Sequence, residues 1–287
     1  MPEPEDESED VADAAGSSVR RTAVSYARGA AGGLLVAMPL LLTMEMWWGG
    51  FSISPVRLAA LLVVNYGVLL VLQHYSGLHP RKTAGGQVRA AIVAYGIGVV
   101  VSGLTLLALN VIRAETALHD VVGKLVLEAV PVSIGASVAM SAFGAEHHVA
   151  EQRKEGETYW GAMAMALAGA MFFGFSVAAT EEPMMIGMQL TWVHALALVL
   201  ASLLQVHAIV YAVEFKRRER QPSGRRWWQL LLMEGVGAYT VALVVATYLL
   251  WTFGRVGAGV DIRPSVDMII TLGFATSLGA AAGELLI

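Results

Sequence analysis

Apolar residues in this chain gather into long runs, and charged residues fall mostly between them. A helix crossing a bilayer needs roughly 20 mostly apolar residues at about 1.5 Å each. Eight runs reach that length: Gly29–Phe51, Arg57–Tyr75, Val88–Ile112, Val122–Phe143, Trp160–Glu182, Leu190–Phe215, Trp228–Phe253 and Ser265–Ile287. In hydrocarbon every backbone polar group must be bonded inside the protein, and the alternation of barrel strands is absent, so the runs predict helices. The expected fold is all-α, a polytopic membrane bundle of eight transmembrane helices.

Composition agrees. Of 287 residues, 56% are hydrophobic and 15% charged, and mean hydropathy is +0.61. A soluble domain carries about a quarter charged residues, so there is too little charge here to cover a globule. The first nineteen residues hold seven acids and no base, which leaves sixteen acids against nineteen bases in the remainder. The net charge of −4 therefore belongs to the N-terminus. Residues 1–19 read as a disordered acidic tail, and residues 20–287 as a single transmembrane domain. The acidic start and the full-length first run do not fit a cleavable signal peptide. With no cysteine, disulfides, thiolate metal sites and cysteine nucleophiles are excluded. Nucleic acid is not an expected partner; the lipid bilayer is.

Lysine and arginine set the orientation. Fourteen of the nineteen fall before the first run or in the even-numbered loops, and five on the other side. Both termini are therefore expected in the cytoplasm, with the protein in the cytoplasmic membrane of a bacterium. Trp47, Trp48, Trp227, Trp228 and Trp251 sit near run ends, where amphipathic rings prefer the interface.

The halves resemble each other. Thr43-Met44-Glu45 matches Thr180-Glu181-Glu182, Tyr95-Gly96-Ile97-Gly98 matches Glu234-Gly235-Val236-Gly237, and Ser133-Ile134-Gly135-Ala136 matches Ser277-Leu278-Gly279-Ala280. The pattern suggests repeats over 29–143 and 160–287. Four helices return a chain to its starting side, so such repeats would be parallel, as in some transporters. Gly279 and Gly283 form a GxxxG stripe, and Gly96, Gly98, Ser102 and Gly103 crowd the third run. These small residues read as helix-packing faces, within the chain or between copies in a homo-oligomer.

Acids inside a membrane are costly, about 2.5–3.5 kcal/mol each on insertion scales. Glu45 lies six residues from the outer end of the first run, roughly 9 Å deep, and Glu128 lies equally far into the fourth. Glu181 and Glu182 close the fifth run before Pro183, whose ring would free a carbonyl near residue 179. These four acids form a candidate ion- or proton-binding cluster, because converging carboxylates share protons or bind a cation. A structural alternative pairs Glu128 with Lys124 at i,i+4. Asn65, His194 and Gln205 are candidate secondary polar contacts, and His194 could relay protons.

Glu146, His147, His148 and Glu151 suggest metal ligands, and His147 and Glu151 have helical i,i+4 spacing, but HEXXH is absent, no third ligand is evident for that pair and a solvated loop suffices. No nucleophile elbow, P-loop or dinucleotide fingerprint appears, so neither an enzyme nor a cofactor is expected. The stretches LLLTMEMWWGGF (40–51), LEAVPVSIGASVA (127–139) and FFGFSVAATEEPMMIGMQLTWVHALALVLASL (172–203) resemble a bacterial family of uncharacterised integral membrane proteins, a domain of unknown function. That resemblance implies a multi-span protein and assigns no activity. The expected function is an ion channel or ion-coupled transporter passing cations or protons at the outer carboxylates. The alternative is a membrane-embedded interaction or sensory protein with paired acids.

Overall fold

The structure, a computed structural model, describes the backbone of residues 5–75, 83–144, 159–218 and 235–284. Among the described residues ten helices run in the order α1 (Glu5–Leu41), α2 (Met44–Ser52), α3 (Pro55–Tyr75), α4 (Ala84–Ala108), α5 (Leu118–Gly144), α6 (Tyr159–Ala178), α7 (Glu182–Gln189), α8 (Trp192–Arg218), α9 (Val236–Thr252) and α10 (Ile262–Glu284). Among the described residues there is no strand, and seven helices are long and apolar enough to cross a membrane. The shorter α9 is apolar too. The chain is a polytopic helical membrane protein.

Three expectations change. Residues 5–19, expected to be disordered, continue α1; acids at a helix N-terminus complement its dipole, and this stretch holds no proline. The run Gly29–Phe51 is not one helix. It stops at Leu41, because Thr43 turns extended and its hydroxyl donates back to the Pro39 carbonyl. The Trp47 indole donates to the Leu41 carbonyl at 3.0 Å, which gives a partner to one acceptor at the helix end. The run Trp160–Glu182 likewise ends at Ala178, and Pro183 sits in the first turn of α7, where a missing amide costs nothing. Pro183 starts a helix instead of breaking one.

Each half thus runs long, short, long, long, long. The packing follows the same plan. In the first half α5 lies against α1, α2, α3 and α4; in the second α10 lies against α6, α7, α8 and α9. The turn after α4 is closed by Val111 N–H to Leu106 O and Asn110 N–H to Leu107 O, and the turn after α9 by Arg255 N–H to Leu250 O and Gly254 N–H to Trp251 O. These are paired Schellman closures, and Asn110 (φ 58°) and Gly254 (φ 76°) take the left-handed position that each requires. This sets the register of α4 on α9. Ala91, Ala94, Gly98, Ser102 and Leu106 are buried in α4, and the residues 144 further on are buried too, Gly235 at the N-cap of α9 and Ala238, Ala242, Ala246 and Leu250 within it. Tyr95 therefore corresponds to Tyr239, not to Glu234 as the glycine pattern suggested; Glu234 itself lies outside the described residues. Short glycine-rich matches slide easily, whereas a buried stripe does not.

Glycine brings the central helices together. A Cβ on Gly32 or Gly33 of α1 would meet Ala139 or the Val132 carbonyl of α5. One on Gly169 of α6 would meet the Gly279 carbonyl of α10, and one on Gly283 the Met165 carbonyl. The Gly279–Gly283 stripe is therefore used inside the chain. Gly50 of α2 and Gly187 of α7 do the same against the backbones of Lys124 and Met268. On one side of the bundle Arg57 at the start of α3 stacks over Trp251 of α9, 5.7 Å from the ring centroid.

Gly169→Val should lower the thermal stability of the detergent-solubilised protein by about 1–3 kcal/mol through overpacking. Gly96→Ala, where nothing lies within 4 Å of the new methyl, should raise it by up to about 1 kcal/mol through helix propensity. A melting series in which both variants move stability the same way contradicts this packing.

Candidate functional site

The four candidate acids have different surroundings. Glu45 is half-buried in the first turn of α2, so a depth counted along one continuous helix does not apply to it. Glu181 precedes α7 with its side chain 64% exposed, and Arg255 lies 3.9 Å away. Glu182 is exposed, and hydrogen bonds from Thr180 and from its own backbone amide hold its carboxyl below the ordinary carboxylate range. Glu128 is 0% exposed. Among the described residues no three His, Cys, Asp or Glu side chains come together as a metal site requires. The Glu146–Glu151 loop lies outside the described residues.

Glu128 is the unusual member. Both its carboxylate oxygens are buried without a hydrogen-bond partner. The pairing with Lys124 does not form, and the Lys124 Cγ and backbone lie beside Gly50 of α2. One turn further along α5, Val132 packs with Ala37 and Leu41 of α1, an entirely apolar setting. An ionised carboxylate is expensive to place there without a partner.

The second half supplies a comparison inside the same chain. Ser133 and Ser277 are 144 residues apart, and each hydroxyl donates to the carbonyl three residues earlier, Val130 (2.8 Å) and Phe274 (2.9 Å). At that spacing Glu128 corresponds to Leu272, itself fully buried. The same helix, packed against the same set of partners, accepts leucine where α5 carries an acid.

The secondary polar residues bridge helices. Asn65 Nδ2 of α3 donates to Ser133 Oγ of α5 at 3.0 Å, and Gln205 Nε2 of α8 donates to Ser277 Oγ of α10 at 2.6 Å and to the Phe274 carbonyl at 2.7 Å. Gln73 Nε2 donates to Ser137 Oγ at 2.9 Å. His194 is exposed and bonded to Thr191 Oγ1 at 2.7 Å, at the head of α8, apart from Glu128. Sequence reasoning passed over Ser102, which is fully buried with no partner for its hydroxyl. Its signal was the Gly98-Ser102 spacing, read only as packing.

The chain belongs to the family described as "Putative integral membrane protein (DUF2391)", which matches residues 25–287. No curated protein and no solved structure matches it.

Replacing Glu128 by Leu, the residue found at the corresponding position of the second half, should raise stability by about 1–3 kcal/mol because two unsatisfied buried oxygens are removed. Asn65→Leu should lower it by a similar amount, since Ser133 loses its donor. Denaturant titration in detergent measures both. Destabilisation by Glu128→Leu would mean that the carboxyl has a structural partner.

Proposed function

Starting from membership of a family of integral membrane proteins, we propose that this protein is a proton-coupled ion transporter or proton channel of the bacterial cytoplasmic membrane, with Glu128 as its proton-binding group. One observation carries the reading: a fully buried carboxyl without a partner, at a place where the other half of the chain has Leu272. An acid that packing does not require has a chemical use as its best explanation. A lone carboxyl suits a proton better than a metal cation, because hard cations draw several oxygen ligands. Glu45, Glu181 and Glu182 serve as the outer approach, where negative charge raises the local concentration of cations. Both termini lie in the cytoplasm on this reading, in line with the excess of lysine and arginine on that side.

The Glu181–Arg255 pair and the amide–serine bridges favour a second reading, a membrane-embedded interaction or sensory protein. Proteoliposomes separate the two. Under an imposed pH gradient, wild-type protein should dissipate the gradient measurably faster than empty vesicles, and Glu128→Gln should reduce that excess rate at least tenfold with its fold intact. A wild-type rate equal to that of empty vesicles leaves the sensory reading in place, and a Glu128→Gln rate equal to wild type removes Glu128 from the mechanism.

A further inference from the structure

The two halves meet head to tail. α3, from the first half, lies against α6, the first helix of the second. A two-fold axis between the halves would set α8 against α1 in the same way, yet among the described residues no comparable contact joins those two helices. We infer that a second copy of this chain completes the joint, with α8 of one copy on α1 of the next, so that the halves form a closed ring.

Each side of the joint can be followed from one half to the other. A Cβ on Gly32 would meet Ala139 and the Gly135 carbonyl, and one on Gly169 would meet Gly283 and the Gly279 carbonyl. That sets α1 on α6 at a spacing of 137 residues. On α6, α10 occupies the side of Gly169, and α9 the side of Met163 and Gly174. The remaining third of the circumference carries Gly161, Ala164, Ala168, Met171 and Phe175, all buried, with Gly161 against Tyr75 of α3. The corresponding residues of α1 are Val24, Ala27, Ala31, Leu34 and Met38, and none of them is buried. The same spacing carries Asn65 and Leu69 of α3 onto Ser202 and Val206 of α8, all four at 0% exposure. It also carries Leu61, Val68 and Leu72, buried on the side of α3 marked by Arg57 and Tyr75, onto Leu198, Gln205 and Ile209, which are not buried. Leu204, beside them, is 70% exposed.

Lipid asks only that such faces be apolar. Ala27 and Ala31 keep, at the places of Ala164 and Ala168, the small side chains that let a helix come close, and Ala197 of α8 repeats Ala60 of α3. The bilayer then closes the ring. Four long helices in each half make the repeats parallel, with their axis along the membrane normal. Both halves must span the same hydrocarbon thickness, so no rise along that axis accompanies the turn. A head-to-tail contact without rise runs round into a ring and not along a filament. With two halves per chain and no two-fold between them, the smallest ring is two copies.

The chain has no cysteine, so introduced pairs report cleanly. Arg57 on Trp251 has its counterpart in His194 and Leu107, both exposed. Full-length His194→Cys and Leu107→Cys chains, co-expressed in one membrane, should be joined by a short bifunctional thiol reagent, and neither variant should be joined to itself. Arg57→Cys with Trp251→Cys in one chain should be linked by the same reagent without a gain in mass. Light scattering of the detergent-solubilised protein should give wild type at least twice the mass of one chain. Ala31→Trp, on the open face of α1, should reduce that mass to a single chain with helical content unchanged. Val100→Trp should leave it intact, since Val100 and its counterpart Val244 are exposed in both halves, at 58% and 62%. A single-chain mass for wild type, no link in the mixed membrane, self-linking of either single variant, or an Ala31→Trp protein of wild-type mass overturns the ring.

Discussion

The bundle depends on backbone meeting backbone. Between α1 and α5, and again between α6 and α10, glycines remove the side chains that would hold the helices apart, down to carbonyls facing bare Cα atoms. In lipid no water is gained by hiding apolar side chains from each other, so close van der Waals contact has to hold helices together. This contact makes α5 and α10 the centre of their halves. Two-thirds of the apolar window of α5 lies inside the protein, against about a sixth for α8. Whatever α5 carries is consequently shielded from lipid and from bulk water, and that includes Glu128.

Repetition separates fold from function here. Positions that match between the halves, such as Gly32 and Gly169, Gly135 and Gly279, or Ser133 and Ser277, are those that the helix contacts need. Positions that differ are released from that need. Glu128 and Ser102 belong to the second class. A buried polar group that a copy of the same packing omits is harder to explain as architecture than one with no internal counterpart.

The helical membrane fold was legible in the sequence because hydrocarbon leaves the backbone so few choices. The break at Thr43 was not: the hydropathy of the flanking residues carries straight across it, and what stops the helix is a turn that no run of apolar residues announces. The end of α6 was announced by Glu181, Glu182 and Pro183, a few residues beyond Ala178. Glu128 was visible as an intramembrane acid, but its isolation was not, because chain position gives depth and not direction. The Lys124 pairing looked sound at i,i+4 until Gly50 was found against that lysine's backbone. Ser102 was missed because a serine among glycines looks like one more small residue.

The stacking of Arg57 on Trp251 joins the first half to the second where α3 begins and α9 ends. The Arg57 guanidinium also lies over Gly254, where a Cβ would collide with it, so the left-handed glycine serves both as a turn and as a seat. Phe253 extends the seam, with its ring edge-to-face on Phe175 and beside Gly49. At the other end of α3 Tyr75 lies beside Gly161 at the start of α6, so this one helix is fastened to the second half at both of its ends.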